Sequence, residues 1–481
     1  MPDLLPHMKF HPSEMLARMC WLTTLALLAA GAIACGQPSM VSFKHLEHLT
    51  ETITLSGQQV DIVHVYANYP DYRWFEAADA GTEGIACVDD AARAAVVYLR
   101  HFELTGDRRS LGHAKSLLKF VLGMQAPDGQ FCNFVYRDHS INTTGRTSLK
   151  SFGWWAARGV WSLGLGYRLF EKTDPSFAGT LKKALERSRP HITALLDRYG
   201  KCDTVSGLRV PRWLPYGSGA DVTSELLLGL VEFCAAEPDS SLRTAIRELG
   251  DGILMMQDGG FAEYPYGLHR SWETQWHMWG NSQTQVLAAA GRVLGDSVML
   301  ASAEREATGF YSRLLTDGFF KEFDVAGKTS RARYEQIAYA VRPMAVGLVR
   351  LYEATGKRLY LVMAGLAASW LFGNNVLRQQ IYDPSTGRCF DGIRDSLTIN
   401  RNAGAESTIE ALYSVLEVEQ YPDARKYLRF TRVSARTTDR YHTARFQGPH
   451  GEDLTFGIDL RDGAILIMED EASRKFQEQS E

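Results

Sequence analysis

Apolar positions recur at steps of three and four over residues 86–104, where Val88, Ala92, Ala95, Val96, Leu99 and Phe102 share a face while Arg93 and Arg100 fall on another. The same period runs through 111–124, 154–170, 225–234, 246–256, 337–352 and 406–416, and each stretch predicts a helix with a buried side. Period-two alternation is confined to the ends, at 59–67 and again at 441–446, 454–460 and 464–468. Short turns centred on Asp107, Asp174, Asp239, Asp296, Lys357 and Asp423 return at a roughly 60-residue interval and divide the helices into pairs. A helical hairpin cannot bury its own apolar face, so each pair must pack on its neighbours, and six pairs can close into a ring. The pattern predicts an all-α fold, an (α/α)6 toroid over 86–430, with inner helices beginning near Ala86, Trp154, Asp221, Asn281, Glu335 and Ala405. A linker and strand segment over 35–85 and a small β extension over 431–481 flank it.

The N-terminus reads as an address. Arg18 precedes an apolar run, 21–34, that is shorter than the roughly 20 residues needed to span a bilayer, so 1–34 is expected to be an export signal. Ala32-Ile33-Ala34-Cys35 resembles the bacterial lipobox, and that resemblance implies a chain lipidated at Cys35 and anchored to a membrane at the outer membrane or periplasmic face. Ordinary signal cleavage would instead give a periplasmic or secreted protein.

Composition narrows the partners. A hydrophobic fraction of 45% and a charged fraction of 22% are those of a soluble globular protein, and a formal net charge of −4 with no basic stripe argues against nucleic acid. Cys87, Cys132, Cys202, Cys234 and Cys389 are scattered with no zinc-type spacing, so no metal or other cofactor is expected; they read as core residues, with a Cys87–Cys132 bridge as the alternative.

In a ring of hairpins the inner helices run parallel, and the long connections into their N-termini gather at one mouth. Those connections carry the chemistry. Glu83 to Arg93 places Asp89 and Asp90 on the first turn of the first inner helix, where they either offset the helix dipole or supply an acid, base or nucleophile. The third connection holds Glu263, Tyr266, Trp272, Trp276, Trp279, Asn281 and Gln283, flat rings and amides suited to stacking on a sugar and taking its hydroxyls. Trp154, Trp155 and Arg158 open the second inner helix, Asp221 and Glu225 the third; Tyr334 and Glu335, with Arg342 beyond them, open the fifth, and Asp391 leads to Glu406 at the sixth.

Together these residues make the chain resemble the six-hairpin, or (α/α)6-barrel, glycosidase superfamily, with no member family assigned. Val88-Asp89-Asp90-Ala91-Ala92 is similar to the adjacent-Asp motif of bacterial endo-α-1,6-mannanases, and 153–159 is similar to a Trp/Arg-Gly segment of unsaturated glucuronyl hydrolases. The resemblance implies a glycoside hydrolase acting on a poly- or oligosaccharide through a carboxylate pair. Asp90 and Glu335 are the expected pair, with Asp89 and Glu263 as substitutes; Trp155, Arg158, Tyr266, Trp276, Trp279, Asn281, Gln283, Tyr334, Arg342 and Asp391 are the expected substrate contacts. Two alternatives stand beside it: a polysaccharide lyase using His277, Asn281, Tyr334 and Arg342, and a non-catalytic glycan-binding lipoprotein. A sugar epimerase, which employs His pairs, is a further reading.

Overall fold

A computed structural model describes residues 38–78, 81–327 and 331–480. Cys35 and the 1–34 segment lie outside the described residues. Pro38–Met40, the described part of a separate N-terminal unit, form neither helix nor strand. The remainder, Val41–Glu481, is one unit.

Six helical hairpins make that unit. The inner helices are Val88–Thr105, Trp154–Thr173, Ala220–Ala236, Gln283–Leu294, Val341–Thr355 and Ala405–Glu419. Each packs on the next, and the sixth returns to the first, so the ring is closed. Outer helices begin at Arg108, Pro175, Ser240, Ser297, Leu359 and Pro422. The aspartates that marked the first four turns are their N-caps: Asp107 accepts from the Arg109 amide, Asp174 from Phe177, Asp239 from Ser241, and Asp296 from Val298 and Met299. Each such cap stabilises its helix by about 1 kcal/mol. Three of the six inner helices, the first, fourth and fifth, stop on a left-handed glycine, Gly106, Gly295 or Gly356, as a reversal without a Cβ clash requires.

Two inner helices start later than their periodicity suggests, because the backbone there is used in strand pairs at the mouth. Ala86–Cys87 pairs with Phe134–Val135. Gln336–Ile337 pairs with Gly392–Ile393, and a 3-10 turn, Ala338–Ala340, follows before the helix begins at Val341. Pro343 sits in that first turn, where its missing N–H costs no hydrogen bond.

The terminal strands form as small sheets. Thr50–Leu55 and Gln58–Val63 make an antiparallel hairpin against the first outer helix. Thr431–Thr437, Tyr441–Gln447, Asp453–Asp459 and Ile465–Glu469 make a four-stranded antiparallel meander, and the helix Asp470–Ser480 follows. All five described cysteines are free; Cys87 is not bridged to Cys132 but donates its thiol to Asp90 Oδ2 at 3.2 Å. No described helix is long and apolar enough to cross a membrane.

The second and third inner helices meet glycine to glycine. A Cβ on Gly164 would overlap the Gly229 carbonyl, and one on Gly229 the Val160 carbonyl, so both backbones are in direct contact. Gly164→Ala is expected to force them apart at a cost of about 1–3 kcal/mol. Chemical denaturation checks this; a variant as stable as the wild type would mean that the pair is not closely packed.

Candidate active site

The loops entering the inner helices enclose a cavity of about 770 Å³. Trp154, Trp155, Tyr216, Trp272 and Trp279 give it flat apolar walls, and Glu83, Asp89, Asp221, Glu322 and Glu406 supply its carboxylates.

Asp89 and Asp90 divide between the cavity and the core because neighbours on a helix point about 100° apart. Asp89 lines the cavity. Its Oδ1 pairs with Arg158 Nη1 at 3.0 Å, and its Oδ2 accepts from Asn133 Nδ2 at 3.3 Å. Asn133 Oδ1 accepts in return from the Asp89 amide at 3.3 Å, which fixes the carboxylate at the helix N-terminus. Arg158 is itself held, donating from Nη2 to Tyr339 Oη at 2.6 Å and lying over the Trp154 ring. Asp90 turns inward, 2% exposed, and pairs with Arg93 Nη2 at 2.7 Å. Arg93 Nη1 reaches Glu410 at 3.0 Å and Glu406 at 3.3 Å. Glu406 also lines the cavity, on the sixth inner helix next to the first.

Across the ring, His277 Nε2 lies 2.9 Å from Asp221 Oδ2, and its ring stacks on Trp279 at 4.1 Å. Asp221 Oδ1 accepts from the Val222 amide at 2.7 Å, so the carboxylate is anchored to the start of its own helix while it orients the imidazole. Among the described residues no group of three or more His, Cys, Asp or Glu side chains is placed to hold a metal ion.

The structure brings together only part of the expected set. Asp89, Trp155, Arg158, Trp276 and Trp279 line the cavity, although Trp276 is mainly a plug packed on Phe310, Phe320 and Phe323. Glu263 is exposed in a turn outside it, and Glu335 is half-buried outside it, so neither meets Asp89 there. Tyr266 lies under Arg313, and Tyr334 lines a separate hollow. Asn281 donates to the His277 carbonyl and accepts from Gln283 Nε2 at 3.1 Å, which makes the two amides supports of the His277 loop. Arg342 is fully buried between Glu225 and Glu410. Asp391 accepts from Ser407 Oγ at 2.7 Å and from the Gly404 amide at 3.0 Å, holding the start of the sixth inner helix. Of the lyase set, His277 lines the cavity with Asn281 bonded to its carbonyl, whereas Tyr334 lines the separate hollow and Arg342 is held between buried carboxylates. Asn133, Tyr216, Glu322 and Tyr339 carried no signal in the sequence; they are isolated polar residues whose place follows only from loop geometry.

No family model matches the chain, and no curated protein matches it in sequence. Solved structures do. The chain is similar to a sugar epimerase from a ruminal bacterium at 12% identity and a TM-score of 0.54, over 78% of this chain and 94% of that one. It is similar to cellobiose 2-epimerase from Bacillus thermoamylovorans at 11% identity and a TM-score of 0.53, over 79% and 96% of the two chains. An inactive variant of an alpha-1,6-mannanase from Salegentibacter, in complex with alpha-1,6-mannotetrose, matches at 11% identity and a TM-score of 0.47, over 78% and 95%. The chain shares with them the fold of a closed ring of helical hairpins.

Burial pushes the Asp90 carboxyl up to about 6 from its ordinary 3.8, against the opposing pull of Arg93. The folded value lies above the unfolded one, so the protonated form's contribution to stability is fully present below the unfolded value and is lost as pH rises through the folded value. Between about pH 4 and 7 the melting temperature of the wild type is expected to fall relative to that of Asp90→Asn, which cannot titrate there. Parallel melting curves across that range would show that Asp90 titrates normally.

Proposed function

We propose that the protein is a carbohydrate-active enzyme, a glycoside hydrolase whose catalytic carboxylate is Asp89. The observation that carries this reading is the position of Asp89: it is presented to a cavity walled by Trp154, Trp155, Trp272 and Trp279, with both carboxylate oxygens held by Arg158 and Asn133. Hydrolysis of a glycoside needs a second carboxyl group on the other side of the scissile bond. Glu406 fills that role. It projects from the neighbouring inner helix, and Arg93, which holds it, also donates from Nε to the Asp89 backbone carbonyl at 3.0 Å, so one guanidinium ties the Glu406 carboxylate to the helix turn that carries Asp89. One delivers a proton to the leaving oxygen, and the other stabilises or attacks the sugar carbon. The indole faces stack on the sugar rings, and the cavity carboxylates Glu83 and Glu322 take hydroxyls.

A second reading is an epimerase, favoured by the His277–Asp221 pair and by the similarity to two structures named as epimerases. An imidazole oriented by a carboxylate can remove a proton next to a sugar carbonyl. The readings separate by product mass, since hydrolysis adds water and divides the substrate whereas epimerisation leaves the mass unchanged. Among the residues beyond the described part, Cys35 is the lipidated first residue of an exported chain; an unmodified N-terminus found elsewhere by mass spectrometry of the mature protein would remove the anchor.

Asp89→Asn is expected to lower turnover on a hydrolysed oligosaccharide by about 10² to 10⁴-fold while glycan binding persists. Steady-state kinetics with chromatographic product analysis checks it. Wild-type turnover in the variant would shift the role to Glu406 or His277, and an isobaric product would replace hydrolysis with epimerisation.

A further inference from the structure

A second concave region, separate from the aromatic cavity, lies where the ends of the fourth, fifth and sixth hairpins meet the C-terminal sheet. Two hollows of about 270 Å³ and 360 Å³ share Arg378 and Arg432 in their walls; Arg333 joins them in the first and Arg429 in the second. No carboxylate lines the second hollow. In the first the acid is Asp317, which pairs with His442 Nε2 at 3.0 Å. Glu452, next to Gly448 at the rim, accepts from the His450 amide at 2.9 Å.

The guanidinium groups here are unlike those of the ring interior. Arg93, Arg100 and Arg342 are each matched by buried carboxylates. Arg432 is half-buried, donates from Nη1 to the Thr316 carbonyl, and feels Asp317 only from beyond ion-pair distance, that carboxylate being paired with His442; Arg378 and Arg429 have no carboxylate within 4.0 Å among the described residues. The Arg432 backbone is fixed by its amide bond to Asn374 Oδ1 at 2.9 Å, and Arg429 lies over the Phe372 ring at 5.6 Å, so two of the three side chains start from anchored positions. Drawing a cation partly out of water without a counter-ion is unfavourable, and a bound anion relieves it. Guanidinium forks are shaped to meet two oxygens of one tetrahedral oxyanion, and several converging forks select such an anion over a halide.

The geometry points to an oxyanion-binding site in this groove, taking phosphate or sulfate between Arg378, Arg429 and Arg432, either free or as an ester on a saccharide. It goes beyond the hydrolase reading and does not depend on it, since none of these residues lines the aromatic cavity.

Isothermal titration calorimetry of the full chain, at ionic strength fixed with sodium chloride, tests it with inorganic phosphate, inorganic sulfate and glucose 6-phosphate. Saturable binding is expected in the wild type, weakened by about 10-fold or more in Arg378→Ala/Arg429→Ala, in line with the loss of charge-assisted hydrogen bonds. Both residues are exposed, so the variant keeps its fold, which an unchanged melting temperature without anion confirms. Tighter binding of glucose 6-phosphate than of inorganic phosphate assigns the site to an esterified saccharide, and equal binding assigns it to the free anion. Absence of saturable heat above the chloride background, or equal affinity in wild type and double variant, overturns the site.

Discussion

Arg342 lies fully buried at the centre of the ring, and what it touches ties the hairpins together. From the fifth inner helix it donates to Glu410 on the sixth at 2.6 Å, to Glu225 on the third at 2.8 Å, and to Ser282 and Gln285 at the start of the fourth at 2.6 and 3.0 Å. Glu410 also accepts from Arg93 of the first. The second inner helix joins through Arg158, which donates to Tyr339 at the foot of the fifth. Such a network is not a source of large net stability, because desolvation offsets most of the attraction; its force lies in what breaking it would cost, about 3–5 kcal/mol for each uncompensated buried charge. It therefore specifies which helix stands beside which, and it sets the positions of the side chains above it.

The candidate site inherits its geometry from that layer. Arg93 is shared between the buried pair with Asp90 and the cavity carboxylate Glu406, and Arg158 between Tyr339 and Asp89. Each guanidinium thus has one side in the core and one at the cavity, so the acidic groups at the mouth are oriented by charges that cannot relax into water. Preorganisation of this kind is what a site needs if charge is to develop without rearrangement. The aromatic walls are held from behind in the same manner, Trp155 by its Nε1 donation to the Phe131 carbonyl at 2.7 Å and Trp276 by a cluster of phenylalanines.

Much of the ring was legible in the sequence because its signals are local. Helix period, the capping aspartates at 107, 174, 239 and 296, and the glycine stops depend on neighbours within one turn, and these elements appear where the pattern predicts. The late starts at Val88 and Val341 were not legible, since the pairing of 86–87 with 134–135 and of 336–337 with 392–393 joins distant segments. At the mouth the residue types were legible and their directions were not. Nothing in Asp89-Asp90 says which carboxylate turns outward; the packing of the sixth helix against the first decides it by placing Glu410 where Arg93, itself paired with Asp90, meets it. Arg342 reads as a ligand contact from its place near a helix start, yet the matching acids that bury it, Glu225 and Glu410, stand 117 and 68 positions away in the chain. Glu263 and Glu335 belong to long connections whose course depends on the sheets and turns around them.

The division of labour between Asp89 at the cavity and Asp90 in the core is the central claim, and a crystal structure of Asp89→Asn with a bound oligosaccharide tests it most directly. The expected result is a sugar chain stacked on the cavity tryptophans, its glycosidic oxygen or anomeric carbon beside residue 89 and Glu406, with the Asp90–Arg93–Glu410 pairs unchanged beneath. A saccharide seated away from residue 89, or Asp90 turned outward to meet it, would contradict the claim.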